Sequence, residues 1–416
     1  MPSAPKGRPL PLLRRLAAPL VLCATLVLLA SCAGQGGGTV PREQLFALGY
    51  GPAEDQLDLF QVKGGDSSLK TRIAMRGGVF YLANGNAAKV QRLSSYGDVL
   101  ALIYNPDRNP EPSIQKGGEG QKTDRIAVPY PFRAPGEIAV DSKNRIFVED
   151  RMPPERRIVD ATGASLDYAI LRFGKDCSFE DYLGQEGIGG TPFPYILGLY
   201  VTAQDDLVVV SLKQDVWLVH WFDTKGSLRN SLRIPRDSLP KPAGNADLRA
   251  SLDRIVPDST GVALILKVDY SREMVDTQTK SHSGIEYAGS WIYRMDLSSG
   301  GILDRWELPP VQESVKGEEG AGKRVTLVPE LLGVAGERFF LLSIDDESHS
   351  SLSIFNRGTK SIDRYPIEIS PDELYFSTLD LSPEGVLSAL LGTKYEARLV
   401  WWRFDRLTGL GTSLRK

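Results

Sequence analysis

Cysteine and histidine are almost missing from this chain: three of each in 416 residues. Cys23 and Cys32 fall near the N-terminus, which leaves Cys177 alone in the body of the chain. A lone thiol excludes an intramolecular disulfide framework, so stability has to come from packing and backbone hydrogen bonds. Cys177 sits in a polar, hairpin-like stretch with no histidine nearby, which reads as a free thiol in a loop or at a strand edge rather than a nucleophile. His220, His282 and His349 are too dispersed for HExxH spacing, and no paired CxxC, GxSxG elbow or phosphate-binding glycine loop is present. The glycines that follow Gly184 lead into Thr191 and Pro192 instead of a helix, which removes the dinucleotide fingerprint. Excess charge of one sign is lacking too. Lys and Arg number 49 against 52 Asp and Glu, so no basic field invites nucleic acid. Helical periodicity is nearly absent after residue 31, and the remainder reads as all-β.

The N-terminus has the organisation of a targeting signal. Lys6, Arg8, Arg14 and Arg15 precede an apolar run from Leu16 to Ala30. That run falls short of the about 20 residues a membrane-spanning helix needs. It ends in Leu29, Ala30, Ser31 and Cys32, which resembles a bacterial lipobox. The resemblance implies a signal peptide over 1–31, lipidation of Cys32, and anchoring by more than one acyl chain, as stable attachment requires. Residues 32–44, with Gly34, Gly36, Gly37 and Gly38, then form a flexible tether. The expected location is the bacterial cell envelope, periplasmic or at the outer membrane. Ala33, where an aspartate would have suggested inner-membrane retention, tilts the reading toward the outer membrane.

Residues 45–416 carry a recurring pattern. Ile138 and Val140 alternate with polar neighbours, Asp141, Ser142, Lys143 and Asn144 supply turn chemistry, and Ile146 and Val148 resume the alternation. Strands from Ala169 to Phe173 and near Phe179 to Leu183 complete a four-stranded sheet. Similar units recur from Gly78, Leu197, Leu252, Leu331 and Phe376, which makes six and predicts a six-bladed β-propeller. The segment around Ile138 to Arg151, and that from Gly78 to Leu93, resemble NHL repeats. Together with the run from Asp181 to Tyr195 and the lipobox, they resemble an uncharacterised family of spirochaete lipoproteins. The resemblance implies a tethered propeller and supplies no catalytic residues. Polar, Pro- and Gly-rich insertions at 105–123, 152–166, 236–250, 272–284 and 311–323 read as solvated loops. A ring also needs a closing strand from the far end of the chain. Both 45–49 and 56–62 alternate, and the second is the favoured candidate.

The expected function is that of a protein-interaction platform, with the membrane and a protein as partners and no cofactor. The alternative is a metal-dependent hydrolase of the lactonase or phosphoesterase type, with Ca2+ or another divalent ion in the central channel. Hard cations take oxygen ligands, so acidic residues on inner strands are the candidates: Glu137, Asp141, Asp253 and Asp380. Asp141 and Asp380 lie at strand ends, where an aspartate ordinarily bonds its own turn. His220 lies in an alternating apolar strand and is expected to pack. Trp217, Trp221, Trp291, Trp401 and Trp402 are expected to fill the wedges between blades. Replacing Cys32 with alanine is expected to release the protein from the membrane fraction. Mass spectrometry of the mature wild-type protein should find an acylated N-terminal cysteine. An unmodified N-terminus at another residue would refute the anchor.

Overall fold

Alternating apolar residues over stretches of four to eight positions need a neighbour on each edge to satisfy their backbone groups, and here they find it within the same repeat unit. The computed structural model describes residues 39–60, 69–114, 125–244, 247–259, 261–275, 278, 281–316, 322–344, 350–369 and 374–410. The signal segment, Cys32 and the glycine tether lie outside the described residues.

The first strand is β1 (Glu43–Gly49). Blade one comprises β2 (Thr71–Arg76), β3 (Val79–Asn84), β4 (Lys89–Leu93) and β5 (Val99–Tyr104), with β6 (Ile126–Pro129) added parallel to β5. Blade two begins with β7 (Ile138–Val140) and β8 (Ile146–Arg151). A small hairpin, β9 (Ile158–Val159) and β10 (Ser165–Leu166), intervenes before β11 (Tyr168–Phe173), β12 (Phe179–Gly184) and β13 (Gly187–Ile188). Blade three is β14 (Tyr195–Val201), β15 (Leu207–Lys213), β16 (Val216–Phe222) and β17 (Leu228–Pro235). Blade four is β18 (Arg249–Pro257), β19 (Ala263–Val275), β20 (His282–Asp296) and β21 (Ile302–Leu308). After a separate hairpin, β22 (Val311–Lys316) and β23 (Gly322–Leu327), blade five runs through β24 (Glu330–Ala335), β25 (Arg338–Ile344), β26 (Ser350–Asn356) and β27 (Ile362–Ile367). Blade six is β28 (Phe376–Leu381), β29 (Leu387–Gly392) and β30 (Glu396–Trp402), with β1 as its outer strand. The innermost strands β2, β7, β14, β18, β24 and β28 each adjoin the next, and β28 adjoins β2. The protein is therefore a closed six-bladed β-propeller.

Apolar side chains fill the wedges between blades. Val208, Val210, Trp217 and Trp221 of blade three pack on Leu264, Leu266 and Tyr293 of blade four. Trp402 is fully buried, whereas its neighbour Trp401 is half-exposed, as adjacent positions on one strand require. His220 is buried between Phe193 and Phe222, and burial lowers its pKa to about 4, so the imidazole is neutral.

The closing strand is the first of the two candidates. β1 pairs antiparallel with β30 from Glu43 opposite Trp401 to Gly49 opposite Glu396. Phe46 and Leu48 enter the core, and Val40 is already buried, so the folded part starts ahead of residue 45. The favoured segment is not a strand over its described part. Its neighbourhood is held by side chains instead: Asn84 bonds both backbone groups of Asp58, Lys89 donates to the carbonyls of Pro52 and Ala53, and Gln91 donates to those of Glu54 and Gln56. With those backbone groups satisfied, nothing drives the segment into a ladder. Residues 61–62 lie outside the described residues.

Antiparallel neighbours send successive connections to alternate rims of the ring. On one rim no connection exceeds five residues. The same turn recurs there: Asp141 accepts from the amides of Lys143 and Arg145, Asp223 from those of Lys225 and Ser227, and Ser382 from that of Val386. The fourth turn position is left-handed, filled by Asn144, Gly226 or Gly385, and by Cys177 in blade two. Cys177 is a free thiol, fully buried rather than exposed at an edge, and burial raises its pKa. The other rim carries all five long insertions. Three of these contain hairpins rather than loops alone, since β9 pairs with β10, β19 and β20 extend past the blade to Val275 and His282, and β22 pairs with β23.

Closure by β1 sets a stability test. Leu48→Ala is expected to cost about 2–5 kcal/mol in urea unfolding. Phe60→Ala, at a half-exposed site, is expected to cost less than about 1 kcal/mol. Equal effects would contradict the assignment of the closing strand.

Candidate functional site

The four acidic candidates are not gathered. Glu137, ahead of β7, lies 2.9 Å from Arg72 Nε and 3.4 Å from Lys70 Nζ. Asp141 is on the opposite rim, held to Arg145 Nε at 2.6 Å and to its own turn, as its position suggested. Asp253 accepts the Leu331 amide of the next blade at 2.8 Å and lies 3.4 Å from the buried Lys267 Nζ. Asp380 departs from the expectation that it bonds its own turn: it accepts the Met75 amide of blade one at 2.9 Å. Among the described residues no group of three or more His, Cys, Asp or Glu side chains could hold a metal ion. Glu137, Asp253 and Asp380 act between blades, and Asp141 within its own.

A second axial group joins three blades. Lys70 Nζ contacts Glu149 at 2.8 Å and the Ile196 carbonyl at 2.6 Å, and lies 4.5 Å from the centre of the Tyr195 ring. Burial opposes the Lys70 charge, but the Glu149 and Glu137 carboxylates outweigh it and hold its pKa above the ordinary value. Burial raises the pKa of Glu149 as well, against the pull of the Lys70 charge. With its donors engaged by blades two and three, Lys70 serves as a bolt rather than a nucleophile.

Two clefts open on the insertion-bearing side. One, of about 220 Å³, lies in blade four and is lined by Tyr270, Tyr287, Trp291, Arg272, Glu286 and Glu307. Its aromatic floor is fixed: the Tyr270 hydroxyl is 2.9 Å from that of Tyr293 and also bonds the Pro240 carbonyl. The other, of about 520 Å³, lies between blades one and two. Arg108, Arg133, Arg151 and Arg157 line it, with Asp107, Leu69, Pro131 and Phe132. Sequence reasoning missed these arginines because they are spread over 50 positions and belong to different connections. The available signal was that Arg108 and Arg157 stand in insertions and Arg151 at a strand end on one rim, whereas Arg133 lies between β6 and β7 with no such mark.

Exposed apolar side chains occur on both rims, with Tyr96 (85%) and Val262 (56%) on the short-turn side. Val159 (70%), Ile285 (68%), Tyr375 (69%) and Tyr395 (78%) stand on the insertion-bearing side, as do Ile188, Met274 and Val275.

No protein-family model matches the chain, and no curated protein matches it. Solved structures similar to it include a protein of unknown function from Bacteroides caccae, at 8% identity over 76% of this chain and 84% of that one, with a TM-score of 0.35. The β-propeller domain of the Trilobed protease from Pyrococcus furiosus is 9% identical over 80% of this chain and 96% of that one, with a TM-score of 0.41. Apo AztD from Citrobacter koseri is 12% identical over 72% of each chain, with a TM-score of 0.31. Likenesses this distant add no residue to the site, and the NHL resemblance rests on the repeat residues alone.

Asp380 gives a pH test. Burial raises its pKa to about 7, against about 4 in an unfolded chain. Between those values the native state holds a proton that the unfolded state lacks, so the stability from this group declines as pH rises. Asp380→Asn keeps an acceptor for the Met75 amide and does not titrate. The stability of the variant relative to wild type should rise by roughly 2 kcal/mol from about pH 5 to about pH 8 in urea unfolding. A pH-independent difference would rule out a buried, titrating Asp380.

Proposed function

We propose that this chain is a lipid-anchored envelope protein whose propeller serves as a rigid platform for a protein partner, bound on the insertion-bearing rim. The observation that carries the reading is the division of labour between the rims. All five long insertions stand on one, whereas the turns of the other are short and tied to themselves. Loops that exceed what strand connection needs are where recognition is usually placed, on a scaffold that holds them still.

The chain enters the ring on the short-turn rim. β1 starts on the short-turn rim, opposite the end of β30, and Val40 is buried in the cluster that includes Phe404. No observation favours the hydrolase: Glu137, Asp141, Asp253 and Asp380 are each engaged separately.

Photo-crosslinking residues at Ile285 and Tyr395, and at Tyr96 and Val262 on the short-turn rim, test this in intact envelopes. The first pair should give a discrete protein adduct and the second none. Equal adducts from both rims, or adducts from the short-turn rim alone, would overturn the reading.

A further inference from the structure

We propose that the cleft between blades one and two binds a tetrahedral oxyanion ester, a phosphate or sulfate group carried on a unit about the size of a sugar. This site goes beyond the platform reading and does not depend on it.

Several arginines elsewhere in the ring are matched with carboxylates. Arg72 pairs with Glu137, Arg145 with Asp141, Arg172 with Asp181, Arg229 with Asp206, and Arg403 with Asp405. The cleft is distinguished by the number of arginines it gathers. It brings Arg108, Arg133, Arg151 and Arg157 around one cavity with a single acid, Asp107, in the wall. Arg151 lies 3.4 Å from Asp167. Among the described residues Arg108, Arg133 and Arg157 have no carboxylate partner. Like charges gathered in a recess repel one another and focus a positive potential, which a bound anion relieves.

The groups are also held in place. Arg157 donates from Nε to the Met152 carbonyl at 2.8 Å, and Arg108 Nη1 lies 3.5 Å from the Arg133 carbonyl. Beneath them the buried Asp150 carboxyl takes the amides of Arg133 and Ala134 at 3.1 and 2.7 Å, and Asn105 Nδ2 donates to the Phe132 carbonyl at 2.8 Å. The segment bearing Arg133 is therefore fixed before any ligand arrives, which reduces the ordering cost of binding. Guanidinium forks match the paired oxygens of phosphate and sulfate, and several of them suit an ester better than a single carboxylate. The volume, about 520 Å³, is in the range of small-ligand sites, and Leu69 and Pro131 offer an apolar wall to the rest of the molecule.

Isothermal titration of the full-length chain in detergent tests the site, with glucose 6-phosphate and glucose 6-sulfate as probes and glucose as the uncharged control. At least one ester should bind, more weakly as salt rises, and glucose should not. In the double variant Arg108→Ala, Arg133→Ala, affinity should fall about ten- to hundredfold, the loss expected when charge-assisted hydrogen bonds are removed. Both side chains are exposed, so the thermal midpoint should stay at the wild-type value. Arg133→Lys, which keeps the charge and loses the fork, should fall between wild type and the double variant. Whichever ester binds identifies the oxyanion. No binding of either ester at millimolar concentration, binding of glucose as strong as that of the esters, or unchanged affinity in the double variant would overturn the proposal.

Discussion

The ring depends on both ends of the chain sharing one sheet: β1, from the start of the chain, pairs with β30 and supplies the outer strand of the last blade. The two strands are joined by ladder hydrogen bonds and by the Trp401 indole, which donates to Glu43 at 2.9 Å across 358 positions of sequence. The Tyr50 hydroxyl, just past β1, bonds the carbonyls of Thr393 and Glu396 at the other end of β30. Because the last blade borrows its outer strand from the start of the chain, every blade has two neighbours and every inter-blade wedge can be dry. The positions of the two rims, the direction in which the chain enters and the sites of the insertions all follow from that closure.

Strand parity then separates two tasks. Connections on the short-turn rim need only reverse the chain, and self-bonded aspartate and serine turns do this with little freedom left. Connections on the other rim also step between blades, and there the chain tolerates long additions at modest entropic cost. The inner-strand acids and the buried Lys70 serve the ring itself. Asp253 and Asp380 each accept an amide from the adjacent blade, and Lys70 fastens blades one, two and three. A partly buried group on blades four and five repeats the device, with Asp258 shared by Arg294 and Arg357.

Much of this was legible in the sequence because strand alternation has a period of two and turn residues mark its ends. The six units, the turn at Asp141 to Asn144, the packed His220 and the places of the insertions were readable for that reason. The closing strand was not. Residues 45–49 and 56–62 alternate alike, and the decision is made by Asn84, Lys89 and Gln91, side chains of another blade that occupy the backbone near the second segment. Asp141 and Asp380 are likewise the same residue type at similar strand ends, yet one bonds its turn and the other a different blade. That difference lies in the stagger between blades, which local pattern does not encode. The arginine cleft was hidden by the same cause, since its walls meet only after blades one and two are stacked.

Hydrogen exchange measured on the full-length chain in detergent tests the closed ring most directly. Amides of β1 should exchange about as slowly as those of β30, because both belong to one cooperative sheet, and the segment around Asp58 should exchange faster. If the β1 amides exchange at the rate of exposed connections while β30 stays protected, the ring is not closed by this strand. The assignment of rims and faces built on that closure would then fail.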